Sequence, residues 1–174
     1  GKSTLISRVS AARPKIAEYP FTTLTPSLGI VKVALDSSFV MADIPGLIEG
    51  ASDGVGLGTR FLRHVARCKV LLHLVDVNPE DASDPVTNIS MIEEELARYS
   101  SYLIERPIWI ILSKIDQLQP DEIENLLERI KMSHPGREVE MISSHAGQGI
   151  DILLNKLMPF LSRLGDKMKD EQFA

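Results

Sequence analysis

The sequence predicts an α/β fold in which helices cover both faces of a mostly parallel sheet. Short apolar runs alternate with amphipathic segments along the chain, which is the pattern of parallel strands joined by crossover helices. The run from Val70 to Asp76 is apolar at nearly every position instead of alternating, as expected for a strand buried on both faces. A length of 174 residues allows one domain with a sizeable core.

The predicted elements follow one another in the order that such a sheet requires. Helical periodicity or an apolar run of strand length defines each of them. Pro107 opens one strand, and a long loop with several glycines, 43–58, separates two others. The predicted helices cover 2–12, 59–67, 86–104, 121–132 and 150–164, and the predicted strands cover 28–35, 39–42, 70–76, 107–112 and 139–143.

Composition and charge exclude several classes of protein. The hydrophobic fraction is 44% and the charged fraction 25%, as in ordinary globular proteins. With 24 acidic and 19 basic residues the net charge is -5, so the overall charge gives no reason to expect DNA binding. No apolar run is long enough to span a bilayer. Cys68 is the single cysteine, which excludes an internal disulfide and favours a reducing, cytoplasmic location.

The chain begins with Gly1, Lys2, Ser3 and Thr4, the last four residues of the phosphate-binding pattern G-x-x-x-x-G-K-[ST]. In such a loop the ammonium of Lys2 bridges β- and γ-phosphate oxygens, and the Ser3 hydroxyl binds Mg²⁺. The helix that starts here directs its N–H groups at the phosphates. An ordinary helix start with Ser3 near the cap explains these residues alone equally well. The first glycine of the pattern would precede Gly1, so we expect a chain truncated within this loop.

Asp43, Ile44, Pro45 and Gly46 lie at the end of a predicted strand, where doubly wound sheets bind ligands. A carboxylate at Asp43 can hold Mg²⁺ through a water molecule. Gly46 can bring its backbone N–H against a γ-phosphate, because it has no side chain. The alternative is a simple strand-ending turn, since Asp, Pro and Gly are common turn residues.

A threonine-rich segment lies between prolines 20 and 26, which keep its ends extended. The hydroxyl of Thr23 can bind Mg²⁺, and its N–H can reach the γ-phosphate, so that this loop orders when the phosphate is present. The alternative is a plain connector. The segment comprises Phe21, Thr22, Thr23, Leu24 and Thr25.

Ser113, Lys114, Ile115 and Asp116 follow a buried strand and resemble the base-recognition motif [NT]-K-x-D. An Asp116 carboxylate can accept from guanine N1–H and N2–H₂ together, a donor pair that adenine lacks. The stem of Lys114 can lie along the base. Ser113 stands where Asn is usual, so we expect guanine preference with weaker affinity. The alternative is an exposed turn with one isolated aspartate.

After the last predicted strand come Ser143, Ser144 and His145. G domains carry a short Ser-Ala-x loop at this place, near guanine O6, and here Ser144 replaces the alanine. Five short motifs in this order and spacing resemble those of Ras-like G domains over essentially the whole chain. The glycine-containing loop 43–58, together with Tyr19 to Thr23 and Phe61 to His64, is similar to the signature of the Obg (CgtA) family of GTPases.

This resemblance implies a Ras-like P-loop NTPase fold, a three-layer sandwich with a mostly parallel sheet whose first strand is missing. It places the missing strand between 39–42 and 70–75 and divides the chain into an N-terminally truncated OBG-type G domain, 1–164, and a flexible tail or linker, 165–174. We expect the isolated fragment to be unstable and to bind GTP poorly. The residues implied to bind nucleotide are Gly1, Lys2, Ser3, Thr4, Phe21 to Thr25, Asp43 to Gly46, Ser113 to Asp116, and Ser143 to His145, with Ser3 and Thr23 as metal ligands.

The family resemblance also implies a function: a monomeric switch that hydrolyses GTP to GDP with Mg²⁺ and acts in large ribosomal subunit assembly and stress-linked growth control. Leu47 replaces the glutamine that orients the attacking water in Ras-like enzymes, so we expect slow intrinsic hydrolysis. Thr23 and Gly46 are candidate catalytic positions, and K⁺ is a candidate activator. Glu49, Asp53 or a group supplied by the ribosome are further candidates for orienting water. The alternatives are a nucleotide-gated binding module without turnover and an ATP-using protein, which Asp116 disfavours.

Overall fold

The structure, a computed structural model, describes residues 1–11, 15–16, 27–35, 37–43, 68–99 and 101–172. Five helices and six strands lie in these ranges, with a 3₁₀ turn at Ile115–Gln117. The helices are α1 (Lys2–Val9), α2 (Pro85–Tyr99), α3 (Ser101–Ile104), α4 (Pro120–Ser133) and α5 (Ile150–Gln172). The strands are β1 (Lys15–Ile16), β2 (Ser27–Ala34), β3 (Ser37–Ala42), β4 (Leu71–Asp76), β5 (Ile108–Ser113) and β6 (Glu138–Ile142).

The described strands form two sheets. One is antiparallel, in the order β1-β2-β3, and the other is parallel, in the order β4-β5-β6. Strands β3 and β4 each lie at an edge of their own sheet, and no described ladder joins them. The resemblance to Ras-like G domains implies a missing strand between these two edges, and this strand stays a prediction.

The parallel sheet forms because β5 is apolar on both faces, and all six of its residues are buried. Its two faces contribute to two separate cores. Ile110 and Leu112 pack with the inward sides of α2 and α4, including Ile89 and Ile130. On the other face, β5 packs against α1 and α5, and the rings of Trp109 and Phe160 meet edge to face at 5.1 Å. The three-layer arrangement predicted from the sequence is confirmed.

Helix α1 packs closely on the antiparallel sheet because a glycine faces it. A Cβ at Gly29 would lie 2.1 Å from the hydroxyl oxygen of Ser10, so only glycine permits this approach. The helix ends at Val9, earlier than the predicted residue 12, because Ser10 is extended and forms a β-bridge with Val31.

Most predicted elements are confirmed, and the differences lie at their ends. The predicted helix 86–104 corresponds to α2 and α3, and residue 100 between them lies outside the described residues. Helix α5 continues past the predicted end at 164 to Gln172, so the described part of the predicted tail is helical. The residue types after Gly165, mainly Lys, Met, Asp, Glu and Gln, allow this because most of them have good helix propensity. Neither α5 nor another described helix has the length and hydropathy to cross a membrane. The predicted helix 59–67 and the loop 44–58 lie outside the described residues.

Two glycines with positive φ, Gly149 before α5 and Gly136 before β6, predict substitutions with very different effects on stability. Gly149 has a φ of +75°, and a Cβ there would lie 2.0 Å from the carbonyl oxygen of Met141. Gly136 has a φ of +80°, but a Cβ there would meet nothing within 4 Å. We expect Gly149→Ala to lower the free energy of unfolding by more than about 3 kcal/mol, and Gly136→Ala by about 1 kcal/mol. Urea unfolding of the intact protein measures both; equal losses would contradict the steric argument.

His73 on β4 predicts a pH dependence of stability. Burial lowers the pKa of His73 to about 4, Glu93 raises it and His134 lowers it further. Its Nδ1 has no hydrogen-bond partner in the described part of the chain. Between about pH 6.5 and 4 the unfolded state holds a proton that the folded state lacks, so stability falls by up to about 3 kcal/mol as the pH drops through this range. Unfolding at several pH values should show this slope, His73→Gln should remove it, and the exposed His145→Gln should keep it.

Candidate guanine-nucleotide site

The first part of the site is the start of α1. Gly1 is the N-cap residue, and the carbonyl of Gly1 accepts the first helical hydrogen bond from Leu5 at 2.9 Å. No side chain forms a capping hydrogen bond at this end. Lys2 and Ser3 are exposed, while Leu5 and Ile6 bury the other side of the helix. The helix therefore presents its N–H groups, an ammonium and a hydroxyl to the same place.

Asp43 lies directly beside this helix start. Its Oδ1 is 3.5 Å from the Nζ of Lys2, and its side chain is only 12% exposed. The same Oδ1 is buried without a hydrogen-bond partner in the described ranges. The structure thus brings together the Asp43 and Lys2 of two sequence motifs that stand 41 positions apart.

The donor set at this place fits a magnesium ion of the kind that nucleotides carry. A buried carboxylate oxygen lacking a hydrogen bond and a nearby exposed hydroxyl at Ser3 are hard oxygen ligands. A site built on few protein ligands is what Mg²⁺ uses when phosphate oxygens and water complete its shell.

The second part of the site follows the carboxyl end of β5. Lys114 adopts a left-handed backbone conformation, with φ 64° and ψ 33°, and so turns the chain out of the sheet. Its Nζ pairs with Oδ2 of Asp76, at the end of β4, at 2.5 Å. Ile115 is buried and anchors the 3₁₀ turn, which leaves Asp116 exposed at the sheet edge.

The loop after β6 meets this turn. Interaction with the Ser143 hydroxyl holds the pKa of the Asp116 carboxyl below its usual value, with smaller contributions from the Asp116 backbone, His145 and Lys114. Ser143 itself is fully buried. The structure therefore places Lys114, Asp116, Ser143 and His145 together, as the predicted base-recognition site requires.

Residues 1–114 match the family described as 50S ribosome-binding GTPase. The chain belongs to this family. It is a GTP-binding GTPase domain with a Ras-like G-domain fold.

Solved structures of other GTPase domains share this fold. Nucleolar GTP-binding protein 1 of Plasmodium falciparum is 18% identical with a TM-score of 0.67, and the match covers 99% of this chain and 88% of that one. Era of Aquifex aeolicus bound to GDP and AlF4⁻ is 21% identical with a TM-score of 0.64, covering 91% and 52%. The cytosolic domain of the T. maritima FeoB iron transporter is 19% identical with a TM-score of 0.61, covering 92% and 59%. The GTPase domain thus spans little more than half of the Era and FeoB chains.

Ser113 and Ser144 stand where the usual motifs of this GTPase domain have other residues, and both are buried. The Ser113 hydroxyl is buried and donates to the carbonyl of Val75 at 3.0 Å, so it ties β5 to β4 within the sheet. A Cβ at Gly1 would lie 3.8 Å from this hydroxyl, which places Ser113 beneath the start of α1. Ser144 is also buried, and its hydroxyl has no hydrogen-bond partner in the described part of the domain.

Sequence reasoning missed two residues that the structure brings to the GTPase site. Asp76 pairs with Lys114. The feature that could have identified Asp76 from the sequence is its position as the acidic residue that ends an apolar run. Arg8 reaches from α1 to the loop after β6, and no local pattern indicates this contact. Thr23, with its neighbours Phe21 to Thr25, lies outside the described residues, as do Ile44, Pro45, Gly46 and Leu47.

The interaction of Ser143 with Asp116 predicts a measurable change in the Asp116 pKa. Removing the hydroxyl in Ser143→Ala should raise this pKa towards its unfolded value, because the Ser143 hydroxyl is the main cause that lowers it. Since the folded pKa is the lower one, the contribution to stability is present above about pH 4 and is lost as the pH falls below it. Carboxyl-carbon NMR between about pH 2 and 6 measures the shift. Ser162→Ala on α5 is the matched control, and an unchanged Asp116 pKa in Ser143→Ala would contradict the assignment.

Proposed function

We propose that this chain is the G domain of an Obg-type GTPase, a slow GTP-hydrolysing switch that acts on the large ribosomal subunit. One observation supports the proposal: Lys2 Nζ lies 3.5 Å from Asp43 Oδ1 at the predicted phosphate end, while Ser143 acts on Asp116 at the predicted base end. The family match covers both the start of α1 and Lys114. The glycine-containing loop 43–58 is the feature that favours Obg within this larger family.

The phosphate end works through charge and backbone dipoles. Lys2 neutralises β- and γ-phosphate oxygens, and the free N–H groups of α1, including those of Ser3 and Thr4, donate to them. Mg²⁺, when bound, neutralises charge that develops on the phosphates during transfer. Ser3 and Thr23 would hold it directly, and Asp43 would hold it through water. Because Asp43 pairs with Lys2 at 3.5 Å, the two side chains also keep each other in place.

The base end distinguishes guanine from adenine. The Asp116 carboxylate is exposed and ionised, and it accepts from N1–H and N2–H₂ of guanine. Adenine lacks that donor pair and would leave the carboxylate unpaired, which a binding site penalises strongly. Lys114 is held at the edge by Asp76, where its stem can cover a base face. Ser143, Ser144 and His145 form the wall next to Asp116.

Hydrolysis in this domain needs a water-orienting group other than Leu47. A leucine side chain has no hydrogen-bonding atom, so it cannot align water for attack on the γ-phosphate. In this proposal Thr23 and Gly46 would supply backbone groups to the γ-phosphate, and K⁺ or a ribosomal group would orient the water. We infer slow turnover of the monomer in the cytoplasm and faster turnover on the large subunit.

A second candidate function is a nucleotide-gated binding module with negligible turnover. Leu47 favours the binding module, because a domain that no longer hydrolyses GTP does not need the glutamine that orients water. The two candidates share the guanine site and differ in whether phosphate is released.

Phosphate release from GTP by the intact protein separates the candidates. We expect slow release with Mg²⁺ alone and an increase of about 10-fold or more with large ribosomal subunits and K⁺, while ATP neither competes nor turns over. Lys2→Ala should lower stimulated release by about 100-fold, because a phosphate contact is lost. Lys131→Ala, an exposed lysine at the end of α4, is its matched control. Release that stays negligible with subunits and K⁺ would favour the binding module, and equal use of ATP would contradict both.

A further inference from the structure

Arg8 links the last turn of α1 to the loop that follows β6. Its Nη1 donates to the carbonyl oxygen of Ser144 at 3.0 Å and to that of His145 at 2.9 Å. A Cβ at Gly147 would lie 2.4 Å from Nη2, so the loop backbone lies directly against the guanidinium. Hydrogen bonds from a charged donor are stronger than neutral ones. These contacts therefore fix the loop to the helix.

The loop 143–148, which we call the base loop, has an internal arrangement that orients Ser143. The Ser143 hydroxyl accepts from the Ala146 N–H at 2.9 Å, and the Ser143 carbonyl accepts from Gly147 N–H at 2.8 Å. The Ser143 N–H donates to the carbonyl of Gln148 at 2.9 Å. Ser143 follows Ile142, which pairs with Ser113 in the sheet, so the base loop begins beside the turn that carries Asp116. The Ser143 hydroxyl is also the main cause that lowers the pKa of Asp116. A shift of the base loop would therefore change the orientation of the Asp116 carboxylate.

The same helix carries the phosphate-binding residues at its other end. Helix α1 spans Lys2–Val9, which is about 12 Å at 1.5 Å per residue. Leu5 and Ile6 are buried, so the helix is fixed to the core between its two functional ends. Arg8 thus connects the base loop to the element that presents Lys2 and Ser3 to the phosphates.

We propose that Arg8 is a positioning residue for guanine recognition, which fastens the base loop to α1 so that Ser143 keeps Asp116 directed at the base. This inference rests on the base end of the proposed function. Arg8 does not contact the nucleotide itself. It acts through two backbone carbonyls, so its effect depends on which base is bound and not on the phosphates.

GDP and inosine diphosphate (IDP) are the probes, because hypoxanthine keeps N1–H and lacks the 2-amino group. A correctly oriented Asp116 uses both guanine donors, whereas a misdirected one loses the second bond. We expect Arg8→Ala to weaken GDP binding to the intact protein by about 10-fold and IDP binding by about 3-fold or less, so that the GDP/IDP preference falls. Arg8→Lys should restore part of this preference, because an ammonium can also donate to two carbonyls.

Three further variants make the test specific. Arg163→Ala, an exposed arginine on α5, is the matched control and should change neither affinity. Ser143→Ala should lower the GDP/IDP preference by itself, and combining it with Arg8→Ala should add little, because both act through Asp116. Asp116→Asn should lower GDP affinity by about 100-fold or more, as two bonds to a charged acceptor are lost. Thermal unfolding of each variant separates loss of fold from loss of recognition.

Equal weakening of GDP and IDP by Arg8→Ala would overturn the proposal, since a purely structural role has that effect. Full additivity with Ser143→Ala would overturn it as well. If Arg8→Ala does not fold, Arg8→Lys decides: a GDP/IDP preference that is lowered in part at a normal melting temperature supports the proposal, and an unchanged preference overturns it. If Asp116→Asn binds GDP normally, the base end of the proposed function is wrong and the role of Arg8 fails with it. If Asp116→Asn loses GDP while Arg8→Ala matches Arg163→Ala, only the role of Arg8 is overturned.

Discussion

The in-register parallel pairing of β4, β5 and β6 is the constraint on which the base end of the site depends. Asp76 lies opposite Ser113, and Ser113 lies opposite Ile142, so the three strands end at one edge. The turn that carries Lys114 and the loop that starts at Ser143 must therefore emerge side by side. Complete burial of β5 holds this register, because apolar side chains on both of its faces pack into separate cores. The site is thus a consequence of how the core is filled.

Charge at this edge is arranged so that each lysine has a carboxylate neighbour. Lys2 faces Asp43, and Lys114 faces Asp76. The lysine side chains are 47% and 37% exposed, and pairs this accessible to water contribute about 0–1 kcal/mol each. Interactions of that size are easily exchanged for a phosphate or a base. The carboxylates therefore orient the ammonium groups and leave them able to bind a ligand.

Ser113 and Ser144, the two serines that differ from the usual motifs, are both buried in the structure. The shorter side chain at Ser113 stays inside the sheet, where its hydroxyl donates to the Val75 carbonyl. The hydroxyl of Ser144 is buried without a hydrogen-bond partner in the described part of the chain, while the Ser144 carbonyl accepts from Arg8. The two serines therefore contribute to the packing of the sheet edge and of the base loop.

The sequence by itself determined the fold class, the order of the elements and the motifs, because apolar runs and glycine or proline positions depend on local chemistry. It also identified Lys2, Asp43 and Asp116 as candidate site residues. It did not reveal that α5 continues to Gln172 or that β1 is a strand, since element ends depend on packing and not on periodicity. Only the tertiary structure decided the partners of Arg8 and Asp76. Those contacts join residues far apart in the chain, and distances between side chains on different elements exist only once the core has set the elements in place.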